Sequence, residues 1–365
     1  GTGITNDGSI EGAAVEMKAH GNIYALAINN KGTVRATGAS HSGGRVFLRG
    51  IGGGVSNSGS IRATSSGSGN AGRVLIEAAY AKVDGMMRAE GGEVRISVTE
   101  QVELGGTVDV SSESSVGGSV VVEGPEIAVG SGAVVDASGE TGGGSVRIGG
   151  GFQGKDADIA NADFLTVADG STLKADSLTN GHAGTVILWS DGDTRFAGDI
   201  SAEALGASGD GGFVEVSGKE TLRFDGLVST LAANGRTGTL LLDPEDLEIG
   251  AAADAINYLN TGTLVAALGS NHVVVSTGSD NLPGETGTIT VSSAVTWNTV
   301  NSLSLLAHGD IRFNASVQNT RSTSDGGSLI AIAGWDGSNG YTAATPGGAA
   351  PGGPLNFGDF LMNPS

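Results

Sequence analysis

Apolar and polar positions alternate along this chain in short runs, and the runs recur. "GTVRATGASHSGGRVFL" (32–48), "GTVDVSSESSVGGSVVV" (106–122) and "AVVDASGETGGGSVRIGG" (133–150) are nearly the same phrase. Its most regular part is G-G-x-V-x-[VIL]. Copies stand at Gly43-Gly44-Arg45-Val46, Gly91-Gly92-Glu93-Val94, Gly117-Gly118-Ser119-Val120, Gly143-Gly144-Ser145-Val146, Gly211-Gly212-Phe213-Val214 and Gly326-Gly327-Ser328-Leu329, with degenerate copies at Val74, Val186 and Leu240. The steps Val94 to Val120, Val120 to Val146 and Val214 to Leu240 are each 26 residues, those from Val46 to Val74 and Val186 to Val214 are 28, and Val146 to Val186 is 40, which marks an insertion.

A second phrase, G-[ST]-[VI]-x-[AV], precedes the first, at Ile10, Val34, Ile61 and Val108 and more loosely at Val135, Ile200 and Val228. A third run precedes that one: Val102-Glu103-Leu104, Ile127-Ala128-Val129, Leu165-Thr166-Val167, Thr194-Arg195-Phe196 and Leu222-Arg223-Phe224. Each period therefore holds three strands and three turns. Period-two alternation predicts one buried and one solvated face per strand. A single coil of this kind cannot bury its apolar face, whereas stacked coils can. The predicted fold is all-β, a parallel β-helix with three strands per coil. About 13 such coils at roughly 4.8 Å each make a rod of roughly 60 Å. An eight- to ten-strand sandwich is the rival fold, and it would not require a constant period. The Gly-Gly steps are expected to supply φ > 0 or tight corners. Val120, Val122, Val146, Ile148, Val186, Leu188, Val214 and Val216 are expected to face the interior.

Past residue 250 the pattern changes. In "AAADAINYLNTGTLVAALG" (251–269), Ile256 and Leu259, then Leu264, Ala267 and Leu268, recur at helical spacing. One or two short helices, broken near Thr261-Gly262, are expected as a lateral insertion covering part of the coil, with Ile256 and Leu259 facing inward. Strand text then resumes as far as residue 332. The expected organisation is a shaft over 1–250, continued solenoid with the helical insertion over 251–345, and a Pro- and Gly-rich tail or linker over 346–365.

Composition agrees with a repeat. Gly is 65 of 365 residues, well above the roughly 7% usual in proteins. Pro is only 7, and 38% of residues are hydrophobic, too many for a disordered Gly-rich tail. The net charge of −20 and the scattered 19 Lys and Arg argue against nucleic acid, which needs clustered cations. Cysteine is absent, so disulfides and thiolate metal sites are excluded. No apolar run is long enough to span a membrane. The chain opens on "GTGITNDGSI" without a signal-peptide pattern, and is expected to be a mature or excised piece of something longer.

Three stretches resemble a known family: "GHAGTVILWSDGDTRFAGDISAEA" (181–204), "GDGGFVEVSGKETLRFDGLVSTLAANGRTGTLLLDPEDLEI" (209–249) and "GTITVSSAVTWNTVNSLSLLAHGDIRFNA" (287–315). They are similar to shaft repeats of filamentous-haemagglutinin-like exoproteins, the large adhesins exported by two-partner secretion. The insertion at 149–177 also resembles the segment this family places before its V-I-x-W strand. The likeness covers most of 106–332. Its most specific elements are Trp189 with Asp191, Gly212-Phe213-Val214-Glu215, Ser217-Gly218-Lys219 and Leu242-Asp243-Pro244. The resemblance implies a right-handed parallel β-helix, secretion through an outer-membrane transporter partner to the surface of a Gram-negative cell, and a role in attachment or biofilm formation. Host or surface glycans and proteins, and self-association into fibres, are the implied partners. The family's N-terminal secretion domain is not recognisable in this chain.

Parallel β-helices also carry polysaccharide lyases and glycosidases, so an enzyme is the alternative. Glycoside hydrolysis needs paired carboxylates. The best local cluster is Asp191-Gly192-Asp193 with Arg195, which reads equally as a turn. A lyase would use Lys219 or Arg223 near Glu215 and Glu220, residues that fit solvated outward positions as well. His20, His41, His182, His272 and His308 show no metal-ligand spacing. Gly52-Gly53-Gly54 and Gly142-Gly143-Gly144 lack the Lys-Ser/Thr of a phosphate loop. Trp189, Trp297, Trp335, Tyr258 and Tyr341 could stack on sugars, or fill the coil and cover a helix. No catalytic, cofactor or metal residue is assigned, and the chain is expected to be no enzyme.

Overall fold

The computed structural model describes residues 3–22, 25–38, 42–65, 71–251, 257–278 and 286–335. Over these the chain winds as a parallel β-helix of three faces, built by pairing each strand with its equivalent one coil later. The G-G-x-V strands form the first face. One inward ladder on it runs Val46, Val74, Val94, Val120, Val146, Val186, Val214, Leu240, Val273 and Leu303, in register from coil to coil. Every one of these side chains is fully buried. The third run makes the second face, and the G-[ST]-[VI] strands make the third, where Ile10, Val34, Ile61, Met87, Val108 and Val135 stack in turn. The three ladders meet in one continuous apolar core. All eight residues expected inside, Val120 to Val216, have 0% exposure. The first face is about a dozen strands deep, roughly 55 Å at about 4.8 Å per strand.

Of the quoted glycine pairs, Gly91 shows the expected positive φ, at 57°, whereas the second glycines have another cause. Gly118, Gly144, Gly184 and Gly212 are absent from the residues with positive φ. A Cβ on any of them would instead lie 2.0–2.2 Å from the carbonyl oxygen of the equivalent glycine one coil earlier. The same carbonyl accepts the ladder hydrogen bond of the next residue, as in Ser145 N–H to Gly118 O at 2.9 Å. The second glycine of each phrase is thus demanded by the closeness of stacked coils at the corner.

Three coils depart from the pattern in the first half. Arg45–Asn57, Arg73–Val83 and Glu93–Leu104 run through the corner between the first and second faces as single strands. Register shifts at Gly50/Gly54 and Val98/Gln101 replace the turn. The step from Val74 to Val94 shrinks to 20 residues at another corner, between the third and first faces: Met87 lies 7 residues before Val94, whereas Ile61 lies 13 before Val74 and Val108 lies 12 before Val120. Inside the second face Asn6, Asn30 and Asn57 occupy interior positions. Asn6 Nδ2 donates to Asn30 Oδ1 and Asn30 Nδ2 to Asn57 Oδ1, both at 2.7 Å. Asn57 Nδ2 reaches Met86 O at 3.3 Å and Gly8 N–H donates to Asn6 Oδ1 at 3.1 Å, so the ladder is satisfied at both ends.

The region after residue 250 is more irregular than the sequence suggests. Tyr258–Asn260 is a strand, wedged on the second face between Thr221–Phe224 and Leu247–Gly250, although the latter precedes it in the chain. Asn257, at φ 52°, fixes the wedge. Its Oδ1 accepts from Leu222 N–H and its Nδ2 donates to Glu220 O. A single helix follows at Thr261–Ser270, capped by Asn260, whose side chain accepts from Gly262 N–H at 2.8 Å. Leu264, Ala267 and Leu268 face inward, as their spacing predicts. The helix packs on the third face between Leu227–Ser229 and Val295–Trp297, in the place of a strand. Asn271, fully buried, donates to Ala267 O and Val228 O and accepts from Thr230. Leu259 is buried in the wedge strand; Ile256 and the expected tail 346–365 lie outside the described residues.

Candidate functional site: a strapped cleft on the first face

The 40-residue step between Val146 and Val186 contains a loop, 149–163, that leaves the first face and returns to the second. Its base is closed by Ala162 N–H donating to Gly149 O at 2.8 Å. The loop does not hang in solvent. It lies as a strap along the outward side of the first face and reaches strands Thr185–Ser190, Phe213–Gly218 and Thr239–Leu242 of later coils. Arg95 Nη2 donates to Asp158 O at 2.8 Å, and Arg147 stands 3.5 Å from Asp156. Phe152 meets Phe213 edge-on at 5.8 Å between ring centres.

The centre of the strap is Gln153, a non-glycine residue at φ 52°. Its N–H points between the two carboxylate oxygens of Glu215, 3.2 Å from each. Its Nε2 donates to Asp243 Oδ2 at 2.8 Å, and its Oε1 accepts from Lys155 Nζ at 3.0 Å. Glu215 points outward on its strand but has 0% exposure, because the strap covers it. Its remaining partner is Ser217 Oγ at 3.2 Å, which also accepts from Asp243 N–H. Burial holds the Glu215 carboxyl well above the usual carboxylate range, and the Asp243 charge pushes it the same way. Gln153 N–H, Ser217 and Lys155 pull it back. Asp243, half-buried, is raised by burial against the opposing bonds from Ser276 and Gln153 and the charge of Lys155.

Beside the strap lies a cleft of about 510 Å³ lined by Gln153, Lys155, Asn161, Asp191, Lys219, Asp243 and His308, with Trp189 and Trp335 in its walls. Trp189 is buried beneath the strap, and its Nε1 donates to Asp191 Oδ1 at 3.0 Å. Asn161 Nδ2 donates to the same oxygen at 3.0 Å and to Gly154 O at 2.9 Å. Below the strap the outward side of the first face is itself apolar: Leu241, Val274, Leu306, Ile332 and Trp335 form a second core, with Phe152, Phe213 and Ile330 against it.

The residues weighed for catalysis are distributed as follows. Asp191 is tied to the strap through Asn161. Asp193 does not join it: Arg195 Nε and Thr221 Oγ1 donate to it at 2.7 Å each, on the second face. Glu215 and Lys219 reach the strap and cleft, whereas Arg223 is at the surface with Asp225 and Glu220 is exposed. The reading of Glu215 as a solvated outward residue is therefore corrected. Trp189, Trp297, Trp335 and Tyr258 are buried, so none presents an open face for a sugar ring, and Tyr341 lies outside the described residues. His182 and His272 accept backbone N–H bonds from Asp210 and Ser302 through Nδ1. His41 lies outside the described residues. Among the described residues no group of three or more His, Asp or Glu could hold a metal ion.

The motif elements most specific to the resemblance, Trp189 and Asp191, Glu215, Ser217 and Lys219, and Asp243-Pro244, all converge on this strap and cleft. The sequence carried a signal for the covered face. Val186-Ile187-Leu188-Trp189, Leu240-Leu241-Leu242 and Val273-Val274-Val275 are apolar at both parities, the mark of strands buried on two sides.

No protein-family model matches the chain, and no curated protein matches it. Among solved structures, the crystal structure of the HMW1 secretion domain from Haemophilus influenzae is similar, at 22% sequence identity and a TM-score of 0.48, over 62% of this chain. The chain spans 65% of that domain's length.

Proposed function

We propose that this chain is a structural, adhesive shaft segment of a large secreted surface protein, exported through an outer-membrane two-partner-secretion transporter and catalytically inert. The observation that carries the reading is the coil-to-coil stacking of parallel strands on three faces around one core, with a helix standing in for one strand of the third face. Such a rod supplies length, stiffness and a ladder of outward side chains. Attachment to glycans or surface proteins then rests on outward Ser, Thr and Asn, weak at each site and multivalent along the rod. Among the described residues no helix is long and apolar enough to cross a membrane.

One observation favours the other reading, a carbohydrate-active enzyme: Glu215 and Asp243 are neighbouring carboxyls with raised pKa values beside a cleft. Perturbed acids in a cleft are the usual mark of a catalytic site. Against it, Glu215 has no exposed surface, and both of its oxygens face Gln153 N–H. The test is a panel of neutral and acidic polysaccharides incubated with the purified chain, with and without calcium, alongside binding to immobilised glycans. Binding without cleavage is expected. Reducing-end release or unsaturated uronate absorbance that disappears in Asp243→Ala or Asp191→Ala overturns the inert shaft in favour of the enzyme.

A further inference from the structure

We propose that the strap 149–163 is an acid-closed latch: Glu215 and Asp243 both grip Gln153, and ionisation of the pair loosens the strap and uncovers the apolar side of the first face at Phe213 and Leu241. The grip is geometric. One backbone N–H serves both oxygens of Glu215, and the side chain of the same Gln153 serves Asp243 on the next coil. The ammonium group that acts on both carboxyls, Lys155, sits on the strap itself, is exposed, and bonds to Gln153. The groups facing Glu215 are Asp243 from the next coil, Gln153 and Lys155 from the strap, and Ser217 from its own strand; Ser276 bonds to Asp243, and Lys219, Asp191, Glu245 and His308 line the adjoining cleft.

With Glu215 protonated, the closed strap buries a neutral carboxyl whose proton can lie towards Ser217 Oγ, 3.2 Å away. With Glu215 ionised, the bonds from Gln153 N–H and Ser217 strengthen, but the closed strap then buries an anion with 0% exposure beside a second carboxyl, and that desolvation outweighs them. Opening lets water reach both. The sign follows. A carboxyl whose pKa is higher in the closed state than in the open one favours closure below the open-state value, and that contribution is lost as pH rises through the closed-state value. The strap is therefore tight in acid and loose in base. The strap's ends meet at Gly149 and Ala162, so lifting it does not require unwinding the coil.

The experiment is hydrogen exchange on the intact chain between pH 5 and 8.5, expressed as protection factors to remove the intrinsic pH dependence of exchange. Peptides over 149–163 are expected to lose at least tenfold in protection across this range, while those over 119–148 stay constant. Glu215→Gln, neutral at every pH, is expected to keep the strap protected and flatten the transition; Asp243→Asn is expected to move its midpoint to lower pH. Wild-type protection over 149–163 that does not change with pH overturns the proposal. So does a Glu215→Gln transition with unaltered midpoint and amplitude. Should Glu215→Gln fail to fold, the wild-type profile and Asp243→Asn still decide. Polysaccharide cleavage would remove the inert-shaft reading without touching the latch, so the two fail separately.

Discussion

Replacing Gly144 by Ala tests why the repeat needs its second glycine. The new Cβ would lie 2.0 Å from Gly118 O and 2.6 Å from Gly117 C. Ordinary contact requires more than 3 Å, so the two coils must separate locally by about 1 Å. That stretch would carry the Ser145 N–H to Gly118 O bond, 2.9 Å in the native coil, beyond hydrogen-bonding distance. Leaving a buried backbone pair unmade costs about 1–3 kcal/mol, and residual overpacking adds about 1–3 kcal/mol. Reduced freedom of the unfolded chain returns about 0.4–1 kcal/mol. The net is a loss of about 1–6 kcal/mol. Gly269, in the helix, is the control: nothing lies within 4 Å of its added Cβ, and its φ is not positive. Gly269→Ala is expected to stabilise by about 0.5–1 kcal/mol from helix propensity. Because a solenoid of this length need not unfold in two states, thermal midpoints should be read with hydrogen exchange over Ser119–Glu123 and Ser145–Ile148. Lost protection at these two rungs, with distant coils unchanged, is the expected pattern. If Gly144→Ala melts at or above the wild-type temperature, crowding is not what demands the glycine, and the reasoning fails.

Other consequences are open to the same measurements. Val146→Asp would bury a lone carboxylate between Val120 and Val186; breaking the core there should cost roughly 3–5 kcal/mol, seen as a lowered midpoint centred on that coil, and an unchanged midpoint would mean Val146 faces out. Asn30→Ala cuts the asparagine ladder in the middle and removes the 2.7 Å bonds to Asn6 and Asn57; a loss of about 2–3 kcal/mol is expected in denaturant titration, and a neutral result would show that the ladder adds no stability.

The regular part of the fold was legible because the physics is periodic. Alternation names the buried side of each strand, and a near-constant step says that equivalent strands stack, so Val120, Val146 and Val214 could be placed inside without a structure. The asparagine ladder has a signature that went unread: Asn6, Asn30 and Asn57 each stand two residues before a glycine and three before Ser or Thr, ahead of a third-face strand. The wedge at Tyr258–Asn260 left no trace, since pairing out of chain order depends on one cap residue, Asn257, in a left-handed conformation. The strap itself was visible as excess length, and the face it covers as strands apolar at both parities, such as Leu240-Leu241-Leu242. What alternation hides is Glu215, an outward carboxyl that reads as solvated and is covered by the strap.

That last failure says where this molecule stops being a repeat. In the earlier coils outward charges pair across neighbouring rungs at the surface: Arg49 stands 3.2 Å from Glu77, and Lys82 stands 2.9 Å from Glu103. Such exposed pairs contribute little each, and any coil could carry them. From Thr185 onward the outward side of the first face becomes apolar, and the chain spends a 40-residue step to cover it. A rod needs only identical coils. A strap held by two reluctant carboxyls, and a strand inserted out of order shortly after it, are features that rigidity alone does not require. Any binding or response of this chain is therefore to be sought on the strapped face, and the pH dependence of the strap is the property that separates a moving part from a fixed brace.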